Sequence, residues 1–177
     1  MSVTDQIGDR EESLYLAELI NNARKEADIM VSATDLSSYI VTEAYRRGKP
    51  ITQLKLQKIL YYVQGKYLAL YRKPLFPEDI EAWTYGPVVR DVYVKYVSNG
   101  ALPLKPSSRE SLPLLSSQDK ACVDAVLDEK LSYSSSALVG MTHSETPWLE
   151  HAEEVKSGYK PTITIDRIYR FFTEGDR

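Results

Sequence analysis

Apolar residues recur along this chain in steps of three and four, and the segments they mark predict a mostly α-helical fold. The strongest pattern follows Thr52, where Leu56, Ile59, Leu60, Val63, Tyr67, Leu70 and Tyr71 share one helical face, flanked by Leu54, Tyr61 and Leu68. Thr52 can cap this helix and Pro74 ends it. Its apolar arc exceeds half the circumference, so it is expected to be the central helix. The remaining face carries Lys55, Lys58, Tyr62, Lys66 and Lys73, and is expected to meet solvent or a partner.

Shorter helices surround it. Ser32 or Thr34 can cap one bearing Leu36, Ile40 and Ala44, stopped by Gly48 before Pro50. Between 76 and 85 the period changes to two, with Ile80, Ala82 and Thr84 alternating with Glu81, Trp83 and Tyr85, which predicts a small extended or β-hairpin element. Gly86-Pro87 then reads as a turn with proline at the first position of a helix over Val88 to Val97. The Pro- and Ser-rich stretch from Ala101 to Leu115 reads as a loop with room for a short strand at Leu102 to Lys105. Ser117 is expected to cap a helix through Leu131 that turns Cys122, Val123, Val126 and Leu127 inward. Ser134 or Ser135 caps another through Met141, Pro147 opens a short one behind Ser144, Glu145 or Thr146, and Thr164 caps a last one with Ile165, Ile168, Tyr169 and Phe172 inward.

Ahead of these, Arg10 to Met30 reads as a helix with a narrow seam of Leu16, Ile20, Ala23, Ala27 and Met30, which must dock on something. Charge separates this part from the rest. Residues 1–31 hold seven acids against Arg10, Arg24 and Lys25, a net −4 within a chain whose total is −3. The expected organisation is an acidic helical extension over 1–31 and a helical domain over 32–177.

At 177 residues, 43% hydrophobic and 27% charged, the chain can bury a core without staples. No apolar run reaches the roughly 18 residues of a membrane span, so a cytoplasmic protein without membrane contact is expected. One cysteine and two histidines cannot assemble a familiar zinc framework, and no phosphate loop, GxGxxG or GxSxG is present; neither a metal nor a cofactor is expected. The acidic balance argues against a chain that neutralises nucleic-acid phosphates. His143-x-Glu145, or Cys122 with His143, leaves a small metal- or cysteine-dependent enzyme as an alternative, but the residues between two helices serve equally to cap the turn. The 13 tyrosines exceed the needs of such a core and tilt the reading toward protein binding.

Three segments together resemble the Panacea-domain antitoxin family, whose members include phage-associated proteins. They are Leu54 to Gly65 (LKLQKILYYVQG), Ala82 to Val88 (AWTYGPV) and Thr142 to Trp148 (THSETPW), in the family's order. Within them Leu56, Gln57, Leu60, Tyr61, Gln64, Trp83, Tyr85, Gly86, Pro87, His143, Ser144, Glu145, Pro147 and Trp148 read as determinants of the fold. The resemblance implies the non-catalytic antitoxin of a type II toxin–antitoxin system, neutralising a cognate protein toxin such as a small alarmone-synthetase-like enzyme by direct binding. It also admits a proteolytic adaptor that delivers its toxin to a protease, and oligomers with itself or with the toxin. Some members add a DNA-binding helix-turn-helix; the extension before residue 32 is too short for one, so direct DNA binding is not expected. The surfaces expected to bind the toxin are the seam Leu16, Ile20, Ala23, Ala27 and Met30 and the stripe Lys55, Lys58, Tyr62 and Lys66.

Overall fold

In the computed structural model, which describes residues 30–175, five helices begin at a Ser or Thr whose hydroxyl accepts a backbone N–H three residues on. Ser32 starts α1 (Ala33–Arg46), Thr52 starts α2 (Gln53–Tyr71), Ser116 starts α4 (Ser117–Lys130), Ser134 starts α5 (Ser135–Ser144) and Thr164 starts α8 (Ile165–Glu174). Each such cap satisfies a donor the helix cannot use internally and contributes about 1 kcal/mol. Between these lie α3 (Arg90–Tyr96), α6 (Thr146–Leu149) and α7 (Ala152–Lys156). The described residues from Val31 onward belong to one compact unit. Leu16, Ile20, Ala23 and Ala27, with the helix predicted over Arg10 to Met30, lie outside the described residues, except that Met30 is a half-buried bend.

The fold is mostly α, arranged around α2. This helix touches α1, α3, α4, α5, α8 and the second strand of a small sheet. Leu56, Ile59, Leu60, Tyr61, Val63, Tyr67 and Leu68 are all buried, and each aliphatic side chain so removed from water contributes about 1.5–3 kcal/mol. Being covered on most sides, α2 has no wide polar face. Lys58 is 0% exposed and Tyr62 is buried too, so the predicted basic stripe does not exist as a continuous surface. Lys55 and Lys66 are half-buried and Lys73 is exposed. At the other extreme, Leu70 in the last turn is 56% exposed, because the chain leaves the helix there through Arg72 in the left-handed conformation.

The hairpin expected from the alternation is present as β1 (Ile80–Trp83) and β2 (Gly86–Val88), paired antiparallel with Ala82 opposite Pro87. Ile80 and Ala82 are buried, while Thr84 of the same alternating set is exposed beyond the end of β1. A third strand, β3 (Thr162–Ile163), adds to the other edge of β1 and gives the order β2-β1-β3. It follows Pro161, whose carbonyl accepts from the Ala82 N–H at 2.8 Å. Neither β3 nor α7 is signalled by periodicity, both being too short to show one. Pro87 lies in β2, and α3 begins at Arg90, two residues later than the predicted start at Val88. The α4 cap is Ser116 in a capping box with Asp119, one residue before the predicted Ser117. No strand forms at Leu102 to Lys105; Leu104 is instead buried and donates to the Ile51 carbonyl. Among the described residues no helix is long and apolar enough to cross a membrane, and no three His, Cys, Asp or Glu side chains gather as a metal site.

Candidate functional site

Two glutamines of α2 fasten the loop and the hairpin that follow it. Gln57 receives the Val89 N–H at 2.8 Å, and its amide nitrogen donates to the Val89 carbonyl at 3.4 Å. Gln64, two helical turns on, receives Leu75 N–H at 2.8 Å and donates to the Phe76 carbonyl at 2.8 Å. Lys58 sits between them and donates from Nζ to the Pro87 carbonyl at 2.8 Å. These three side chains thus supply hydrogen bonds to backbone of the loop after α2, of β2 and of the residue that follows it. Burial pushes the Lys58 amine down to about 7, since an ammonium is costly to hold away from water.

The hairpin closes over Lys58 because residue 86 is glycine. Gly86 has φ +100°, and a Cβ there would lie 2.7 Å from Thr142 Oγ1 and 2.9 Å from Lys58 Cε. From the far side, α5 and α6 bring in the third motif. Trp148, 8% exposed, donates its indole N–H to the Trp83 carbonyl at 2.9 Å, and the His143 ring stacks on Trp148 with centroids 3.8 Å apart. His143 is held below its ordinary value by burial first and by the nearby Lys58 second, against a hydrogen bond to the Thr84 backbone. Glu145 accepts from the Tyr62 hydroxyl at 2.7 Å, and the Lys130 ammonium lies 4.1 Å above the Tyr62 ring. Pro147 is buried at the start of α6, while Ser144 turns outward and donates to the Met141 carbonyl.

These positions, scattered over nearly a hundred residues, form one clasp. A family model described as "Antitoxin SocA-like, Panacea domain" matches residues 56–149, more than half of the chain, and spans this clasp from Leu56 to Trp148. The chain belongs to that family. A similar protein is the antitoxin SocA of Caulobacter vibrioides (strain NA1000 / CB15N), 36% identical over 70 residues. The alignment covers 40% of this chain and 37% of that protein, well under two thirds of the relative's length. No solved structure matches the chain.

Beside the clasp, and sharing Gln57 and Trp83 with it, this Panacea domain presents a cleft of about 480 Å³. Its floor is Gln53, Leu54 and Gln57 of α2, and its walls include Trp83, Tyr85, Tyr93 and Tyr159. Trp83 packs on Tyr93 with centroids 4.8 Å apart, and Lys160 places its ammonium 3.9 Å over the Trp83 ring. Tyr85 and Tyr159 are 65% and 67% exposed. Tyr85 stands at the hairpin tip, where the strand alternation ends and the side chain points out instead of into the core. The cleft escapes sequence reading because its walls come from four separate segments, and Tyr93 and Tyr159 lie outside the three motifs.

The other predicted residues are dispersed or occupied. Lys55 donates from Nζ to the carbonyls of Leu131 and Tyr133 at 2.9 and 2.6 Å, which ties α2 to the end of α4. Cys122 is buried with Sγ 4.0 Å from the Val63 carbonyl, and burial pushes its thiol up to about 11, opposite to what a nucleophilic cysteine needs.

Proposed function

We propose that this chain is the antitoxin of a type II pair and neutralises a protein toxin by binding it directly, without catalysis. The observation that carries the reading is how the family's polar motif residues are used. Gln57, Lys58, Gln64 and Trp148 each bind backbone of the loop or hairpin, so their chemistry is directed inward to hold a shape. What that shape offers outward is an aromatic cleft with two largely exposed tyrosines, a composition that suits protein recognition. The family's antitoxin SocA, similar over part of its length, supports the same role.

The test is co-expression with the product of the neighbouring reading frame. Relief of a growth arrest caused by that product, with both proteins co-eluting as a complex of unchanged toxin level, is the expected result. Relief that disappears in a protease-deficient host, or that occurs without a complex, would replace direct neutralisation by delivery to a protease or by an enzymatic antidote.

A further inference from the structure

We infer that the cleft between the hairpin tip and the segment after α7 receives an acidic segment of the toxin, in which an aspartate or glutamate lies within a residue or two of a bulky apolar anchor; the inference deepens the antitoxin reading above and rests on it. The carboxylates around the cleft are each engaged by a neighbour. Glu81 accepts from the Trp83 indole N–H and pairs with Arg90, Glu153 pairs with Lys156, and Glu154 faces His151. Lys160 is the one charged residue in the cleft wall, and among the described residues it meets no carboxylate. Its ammonium rests on the Trp83 ring, which holds the charge at the wall without neutralising it. The hydroxyls of Tyr85 and Tyr159 bond no protein group among the described residues and can donate to an anion beside that ammonium.

Size points to a chain segment and not to a small acid. Apolar side chains flank the cleft beyond its walls: Val97, four residues on from Tyr93, is 46% exposed, and Leu102, next to Ala101, is 70% exposed. A ligand confined to the cleft would leave these and the outer faces of Tyr85 and Tyr159 in water. A segment laid across it covers them and shields the anchor and the ion pair from solvent. A second copy of this chain is the poorer occupant, because a two-fold contact through this face would bring two copies of Lys160 to one interface.

The probe is a random-peptide phage library selected on the purified full chain, followed by affinity measurement on amidated synthetic copies of the enriched peptides. Lys160→Glu, Lys160→Arg and Tyr159→Ala all change exposed side chains, and melting curves check that each variant folds like the parent. Enriched peptides should place Asp or Glu within two residues of a large aliphatic or aromatic residue. Lys160→Glu should weaken them about tenfold or more and remove their salt dependence, Lys160→Arg should preserve both, and Tyr159→Ala should weaken them about tenfold, the size expected of an aromatic in contact. Peptides without acidic residues, peptides indifferent to Lys160→Glu or to Tyr159→Ala, a loss in Lys160→Arg as large as in Lys160→Glu, or no enrichment at all would each overturn the assignment. N-acetyltryptophan binding as tightly as the peptides would reassign the cleft to a small organic acid, and self-association of the chain lost in Lys160→Glu would reassign it to a second copy. Neutralisation by the parent chain is scored separately. Neutralisation without a peptide footprint on the cleft sinks only the docking site, whereas a footprint without neutralisation sinks only the antitoxin role.

Discussion

Lys58 shows how a single buried amine sets the pH response of the domain. An unfolded lysine titrates near 10.5 and the folded one near 7, so between these values the unfolded chain binds the extra proton and stability rises with pH. The slope approaches about 1.4 kcal/mol per pH unit for one group. His143, held below its ordinary 6.5, contributes with the same sign at lower pH. Cys122 acts oppositely: unfolded it ionises near 9, folded near 11, so from pH 9 upward it cancels the gain. Urea unfolding should therefore give stability that climbs from pH 7 to 9 and then levels off, and Lys58→Met should remove the climb. An unchanged slope in Lys58→Met would show that the amine keeps its charge when folded. Beside it, Gly86→Ala would both strain the left-handed backbone and drive a methyl against Lys58 and Thr142, at a cost of about 1–3 kcal/mol readable in the same experiment.

The hairpin is an element with little stability of its own, since two strands of four and three residues cannot persist alone in water. Its position is set by Gln57 and Lys58 on one side and Trp148 on the other. Trp148→Ala removes a large buried ring, its bond to Trp83 and the stacking partner of His143, and should cost about 3–5 kcal/mol in thermal or urea unfolding. A variant as stable as the parent would mean that α2 and β3 hold the hairpin without Trp148. Gly65 has a comparable duty toward α8, because any Cβ there would collide with the ring of Phe172. Elements of this length were legible in the sequence where a cap and a run of three-and-four spacing coincided, as at Thr52 and Thr164. Lys58 and Tyr62 were not. Periodicity divides a helix into apolar and polar faces, but α2 is enclosed by several neighbours, and its polar residues are partnered inside. Gln57 and Gln64, seven residues apart and within the predicted apolar arc itself, were the signal available, since amides set among core positions imply buried backbone for them to bond.

At the scale of the molecule, the buried core among the described residues runs from Ala33 to Ile168. We propose that residues 1–31 form an extension to a self-sufficient domain over 32–177, with their acidity available to the partner. Removing residues 1–30 should then leave the melting temperature within a few degrees of the parent while weakening protection against the toxin; a large drop in melting temperature would assign the segment to the domain's own stability. One further property follows from the single cysteine. Cys122 is sealed between α4 and α2, with its thiol protonated and out of reach of solvent. A thiol-reactive dye can attack it only after those two helices separate, so the labelling rate is a clock for that opening. Because the chain has no second thiol, the clock reads one event in an unmodified protein, and a toxin that clamps the two helices together would slow it.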